Sequence, residues 1–302
     1  MHATNIFNVV IGFFLFFLGL YVRNAGSGRV AQKKFFWLCV ALSLWMLCHG
    51  LRILLPDSLR ELALNWTLIP ILFVPHILFQ VVQAIFGVGN HFLFRNISIH
   101  LHSLILIYMV GSVFLCNAVE IKDPDRFTYQ PNANYHLIIT YELIYISYSC
   151  YLLMRALFRF DGDLRIRAFL LAIGTVSALA FTITCVWALP MLGLFWASKS
   201  IFGFIPFSLF WATAVLHYDT FEIREKILEG MPTPLLSRYS SRIMLGLYAL
   251  LDPSGYSMRI AESKLAVTAG ILFEDYYLRE SYRLSMQTRA EALSEKFKHR
   301  IK

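Results

Sequence analysis

Seven stretches of this chain are almost wholly apolar and about as long as a bilayer is thick, and the charged segment after the seventh contains no further one. A helix needs roughly 20 apolar residues to cross the hydrocarbon core. The spans read as residues 5–21, 35–55, 64–86, 99–119, 135–158, 168–189 and 195–216, with soft boundaries. They lack the alternation and the length of roughly 10 residues that outer-membrane strands show, so only helices can satisfy their backbone groups in lipid. The expected fold class is all-α: a polytopic membrane protein with a seven-transmembrane-helix bundle over residues 1–217 and a short helical cytoplasmic tail over 218–302. A hydrophobic share of 58% against 15% charged residues excludes water as the main solvent.

The residues flanking the spans set an orientation. Arg23, Arg29, Lys33, Lys34, Arg95, Arg155, Arg159, Arg165 and Arg167 fall on one side, together with the tail's 13 Lys and Arg. The other side holds Arg52, Arg60, Lys122, Arg126 and Lys199, offset by Asp57, Glu61, Glu120, Asp123 and Asp125. Basic loops stay in the cytoplasm, so the N-terminus is expected outside and the tail inside. The net charge of +8 then reads as that asymmetry, and no nucleic-acid partner is expected. Met1 to Thr4 carry no Lys or Arg, unlike the basic start of a secretory signal, so the first span is expected to remain in the mature protein. Cys39, Cys48, Cys116, Cys150 and Cys185 all fall within spans without paired spacing, as lipid-buried packing residues do.

Connections are short. The longest on the outer side, residues 120–134, has turn chemistry at Asp123-Pro124 and Gln130-Pro131-Asn132 and reads as a cover over the bundle. The tail breaks at residues 230–234 and again at 252–255, which predicts three helical pieces. Thr233 before Pro234 suits an N-cap and first turn. Beyond it Leu236, Tyr239, Ile243, Leu247 and Leu250 recur at helical spacing, a face that needs an apolar partner. Packing within the tail is favoured over the membrane surface, where Arg238 and Arg242 would meet headgroups. Met286, Ala290, Leu293 and Phe297 follow the four-three-four spacing of a coiled-coil seam, a partner-binding surface that would allow a homodimer through the tail.

Ionisable side chains are costly inside a bilayer, which makes each one a functional candidate. His49 and Arg52 end the second span, His76 lies mid third span beside two prolines, Pro70 and Pro75, Glu142 lies in the fifth span and Lys199 in the seventh. His49, Arg52, Glu142 and Lys199 share the outer half. With Trp45, Tyr141 and Tyr145 they suggest an aromatic-walled pocket for a small or lipid-like ligand. The competing reading is that Glu142 pairs with Arg52 or Lys199 merely to neutralise itself. The prolines remove backbone donors and should bend the third helix beside His76 and Gln80. His100 and His102 diverge in direction at their spacing and read as interfacial, without a metal. Lys199 comes too early in its span and too soon after Trp187 for a retinal Schiff base, so no cofactor is expected.

Two stretches resemble the N-terminal seven-helix sensor region of bacterial histidine kinases. One is residues 19–51, where a basic loop leads to Phe35 or Phe36 and then to Trp45 mid helix. The other is the exit of the seventh helix, His217-Tyr218-Asp219-Thr220-Phe221-Glu222, where the family tends to an arginine in the place of His217. The resemblance covers about residues 1–225 and implies a sensor architecture in a bacterial inner membrane. Downstream, His299 is followed by Arg300 instead of a His-Glu box, and Gly230, Gly246, Gly255 and Gly270 are isolated. No metal motif, phosphate loop or catalytic constellation is evident, so the chain is expected not to be an enzyme. It is expected to pass helix movement to a separate cytoplasmic signalling protein. The alternative is a small-solute transporter or channel using the intramembrane charges, with His76, Gln80 and Gln83 continuing the path.

Overall fold

The structure is a computed structural model that describes residues 2–25, 29–87, 95–123, 128–217 and 235–297. It divides into two compact units, one of Met1–Arg159 with Arg167–Leu216 and one of Phe160–Ile166 with His217–Lys302. The expected break at residues 230–234, the Thr233 cap and most of the helix-seven exit motif lie outside the described residues.

The first unit is the membrane bundle. Five helical segments among the described residues are long and apolar enough to span a membrane, and two shorter apolar helices complete the set of seven. Helices α1 (His2–Ala25) and α2 (Val30–Leu51) pack along their lengths. A Cβ at Gly19 would lie 2.6 Å from the Cβ of Cys39, so only glycine permits this approach. Small residues bring helices together where lipid offers no hydrophobic push.

The third span is two helices, α3 (Asp57–Trp66) and α4 (Leu68–Phe86). Thr67 stands at their junction, its hydroxyl donating to the Ala63 carbonyl at 2.6 Å. Pro70 therefore falls in the first turn of α4, where its missing N–H is no loss, while Pro75 sits inside the helix. Helix α5 (Arg95–Phe114) ends earlier than the hydropathy suggested. Cys116, expected in that span, lies in the turn beyond it with a φ of 57°. All five cysteines are free.

An antiparallel hairpin is formed by β1 (Val119–Asp123) and β2 (Thr128–Pro131), with Ile121 opposite Tyr129 and Val119 opposite Pro131. Fully buried Asn65 of α3 holds it: the side-chain amide donates to the Val119 carbonyl at 2.9 Å and accepts from the N–H groups of Val119 and Ala118 at 3.1 and 3.2 Å. Leu64, Val119, Tyr129 and Tyr135 form an apolar cluster beneath it.

Helix α6 (Ala133–Arg159) follows, and then α7 (Gly162–Thr182), which runs into a π turn, Ile183–Ala188, and a last α turn, Leu189–Met191. A 3-10 turn, Ala197–Ser200, precedes α8 (Ile201–Leu216), so the seventh helix starts six residues later than the expected 195. Helices α7 and α8 lock through Trp211, which is fully buried and donates from Nε1 to the Leu171 carbonyl at 3.1 Å and to Thr175 Oγ1 at 3.2 Å. Gly174 makes room for that ring, since a Cβ there would sit 2.9 Å from its Cδ1. Arg167 is also buried, its Nε donating to the Ala214 carbonyl at 2.8 Å.

The second unit contains the tail helices α9 (Leu235–Leu251), α10 (Pro253–Tyr282) and α11 (Met286–Phe297). Asp252 caps α10, Oδ1 accepting from the Gly255 N–H at 3.0 Å, and its Oδ2 accepts from the Gly162 N–H at 2.9 Å. The buried face of α9 is Ser237, Ser240, Met244 and Tyr248. This corrects the expectation from periodicity: Tyr239, Ile243 and Leu250 stay 66–80% exposed. The Ser240 hydroxyl donates to the Leu236 carbonyl at 2.7 Å, so the 2.6 Å contact with His217 Nε2 uses the imidazole N–H as donor, and that bond lies on the buried face. Helix α10 buries no residue. It ends where Arg283 turns left-handed, φ 49°, and α11 folds back on it through Lys296–Glu274 at 2.7 Å and Arg289–Asp275 at 3.4 Å. Of the expected seam, Met286 and Ala290 are exposed, Leu293 is half-buried, and Phe297 is buried near Gly270.

Candidate functional site

Two adjoining chambers lie inside the bundle and share Ile71, Ile139, Glu142 and Thr182 as lining. The larger has a cavity volume of about 60 Å³ and is walled by Leu42, Val74, Pro75, Leu78, Ile146, Leu179, Trp187, Phe204 and Phe207 among others. The smaller is more polar, with Trp45, His49, Arg52, Thr67, Tyr129 and Tyr135. Glu142 stands between them and is more than nine-tenths buried. Among the described residues its Oε1 has no hydrogen-bond partner, and neither has Trp187 Nε1 on the wall of the larger chamber.

Three irregular turns of the bundle border the larger chamber. Pro75 interrupts the ladder of α4, Ile183 and Trp187 belong to the π turn, and Phe204 and Phe207 flank Pro206 inside α8. A π turn shifts the ladder to i→i+5 and frees backbone carbonyls, and such turns recur at functional sites. Here the Val186 carbonyl accepts from two hydroxyls, Tyr135 at 2.7 Å and Tyr129 at 3.1 Å. Tyr129 belongs to the hairpin, and burial pushes its hydroxyl above the ordinary phenol range, so it remains a neutral donor. The hairpin and the π turn are thereby joined at the chamber.

The sequence candidates fall into three places. Trp45, His49, Arg52 and Glu142 meet at the chambers: Arg52 Nη2 lies 3.3 Å from His49 Nε2, Asn8 Nδ2 lies 3.3 Å from His49 Nδ1, and Trp45 packs edge-on against Phe204 at 5.2 Å. His76, Tyr141 and Tyr145 instead form a second cluster with His102. The two imidazoles stack at 4.3 Å, the Tyr145 hydroxyl reaches His102 Nδ1 at 2.8 Å, and Gln80 reaches His76 Nε2 at 2.6 Å. His102, read from the sequence as interfacial, stacks on His76; the side chain of His100 lies outside the described ones. Lys199 joins neither group. It is exposed in the turn before α8, its ammonium 3.7 Å from the centre of the Trp196 ring.

Three residues of the site were not singled out from sequence. Tyr129 and Tyr135 stand in and beside what read as a polar loop, and Thr182 as an ordinary span residue. Their signal was weak: two tyrosines bracketing a Pro-Asn turn. Among the described residues no group of three or more His, Cys, Asp or Glu could hold a metal ion.

Comparison with protein families finds that residues 6–224 match the one described as "N-terminal 7TM region of histidine kinase". Neither the curated proteins nor the solved structures compared yield a match.

Proposed function

This chain belongs to the family of the N-terminal 7TM region of histidine kinase, and we propose on that premise that it is a membrane sensor signalling through a partner in trans. The ligand sits in the chambers around Glu142, in the half of the bundle capped by the hairpin, which faces outward. The tail of residues 218–302 lies in the cytoplasm and conveys helix movement to a separate signalling protein. The single observation that carries the reading is Glu142: a buried carboxyl with an orphaned oxygen, on a chamber whose walls include the Pro75 interruption and the π turn.

A ligand shifts a conformational equilibrium only by its differential affinity for the two states. Contacts on irregular turns supply that difference, because a π turn and a proline interruption have regular alternatives nearby in energy, whereas an unbroken helix does not. The second reading, transport, draws on the His76, Gln80, His102 and Tyr145 cluster as a continuation of a polar route.

The test is quantitative co-purification from solubilised membranes with the tail intact and with residues 218–302 removed. Recovery of a histidine kinase catalytic domain or another signalling protein only with the tail supports the sensor. Tail-independent recovery, together with solute flux in liposomes, overturns it in favour of transport.

A further inference from the structure

Resting on the sensor reading, we infer that the larger chamber binds a single-chain amphiphile whose head is a neutral group that both donates and accepts a hydrogen bond, a hydroxyl or a primary amide. In a bilayer an apolar wall alone selects nothing, since lipid tails are as apolar as Leu78 or Leu179 and no water is expelled from between them. Selectivity must come from the polar atoms on the wall.

Two of these have no partner among the described residues, Glu142 Oε1 and Trp187 Nε1, both in the lining of the same chamber. A buried polar atom left unpaired is unfavourable, so a ligand that pairs it recovers that cost on binding. The indole N–H can only donate, and the carboxyl oxygen is available as an acceptor. An alkane satisfies neither. An alkylammonium offers donors to Glu142 but nothing to the indole, and a fatty carboxylate offers an acceptor to the indole but no donor to Glu142 while placing a charge in an apolar chamber. A hydroxyl or an amide answers both. The aliphatic and aromatic wall from Leu42 to Phe207 then takes the chain. Its head meets Trp187 in the π turn, which connects occupancy to the irregular part of α7.

The experiment uses the full chain in nanodiscs of one zwitterionic lipid, with photoreactive diazirine derivatives of a twelve-carbon alcohol, amide, amine, carboxylate and alkane at equal mole fraction. Labelled residues are mapped by peptide mass spectrometry and the apparent affinity is read from the concentration dependence. The expected result is saturable labelling on α6 and the π turn by the alcohol and the amide, at about tenfold lower concentration than by the other three. Glu142→Gln keeps a donor and an acceptor and should retain the preference. Glu142→Leu and Trp187→Phe should each weaken alcohol labelling about tenfold. The Trp187→Phe variant carries the test where Glu142→Leu fails to assemble. Equal labelling by the alkane, tighter labelling by the amine or the carboxylate, or an undiminished alcohol preference in Trp187→Phe overturns the inference. Selective labelling without any tail-dependent partner would leave this site standing and remove the sensor reading; a tail-dependent partner without selectivity would do the reverse.

Discussion

The bundle and the tail are both helical, yet they are held together in opposite ways. The bundle buries large side chains in its helix contacts, Trp211, Phe35, Leu38 and Met109 among them, whereas the 30-residue α10 of the tail buries none. Where the bundle is shaped by packing along helices, the tail is shaped at its joints, by the Asp252 cap, the left-handed Arg283 and the ion pairs of α11. Rods with polar joints transmit a change of angle; packed helices resist one except where their ladder is already irregular. In the bundle three such places, at Pro75, the π turn and Pro206, border the larger chamber.

Substitutions in the two regions should therefore differ in size, and the largest effect belongs to the bundle. Trp211→Ala removes a fully buried ring that bridges α7 and α8, together with its indole donor to the Leu171 carbonyl and Thr175 Oγ1, at a cost of about 3–5 kcal/mol. Denaturant titration in micelles should show the loss of helicity at lower denaturant. A loss of less than about 1 kcal/mol would mean that the bundle too is held mainly at its joints.

Asn65→Ala comes next. It deletes one donor and one acceptor and leaves the N–H groups of Ala118 and Val119 and the Val119 carbonyl without partners, about 2–3 kcal/mol. The effect should be confined to the hairpin, seen as faster amide exchange over β1 and β2 with α7 and α8 unchanged. Exchange that quickens throughout the bundle would show the hairpin to be part of its core.

How far all this could be read from sequence differs along the same line. Span positions follow from hydropathy because the bilayer rewards composition over a fixed length, and all seven appear as helices or helix pairs. Glu142, His49 and Arg52 stand out because charge within such a span is rare, and they do meet around shared chambers. Lys199 was misplaced because hydropathy averages over a window and cannot see a 3-10 turn that ends four residues after Trp196. The hairpin escaped because Val119 to Asp123 is only five residues and its pairing depends on Asn65, 54 positions upstream of Val119. In the tail, periodicity chose the apolar stripe, Leu236 to Leu250, while the face turned inward carries Ser240, hydrogen-bonded to His217, with Met244 and Tyr248. Long-range polar contacts of this kind leave no period in the sequence.

A smaller effect is expected at Asp252, and it depends on pH. The Gly255 N–H first, and the Gly162 N–H after burial's opposing push, hold its carboxyl below the ordinary aspartate range. A depressed folded-state pKa contributes stability that is fully present above the unfolded value of about 4 and is lost as pH falls through the folded value. Hydrogen exchange over residues 253–258 should therefore quicken only under acid conditions in the wild type. Asp252→Ala should remove about 1 kcal/mol at neutral pH and flatten that acid response. An unchanged acid response would assign the joint to another carboxylate.

The smallest effect should come from the stripe that periodicity favoured. Ile243 is 66% exposed and Tyr239 80% exposed, so Ile243→Ser removes little contact within the tail and should change its stability by no more than about 0.5 kcal/mol. Met244→Ala, one residue away but fully buried, should cost about 2–5 kcal/mol. The pair sharpens the contrast because the two positions share a helix turn and differ only in which way they face. If Ile243→Ser is as damaging as Met244→Ala in nanodiscs but silent in detergent, the exposed stripe is covered by lipid, and the tail is held by packing after all, against the membrane surface instead of against itself. If both are mild, α9 is secured mainly by His217 and Ser240, and Ser240→Ala should then be the most disruptive change in that helix.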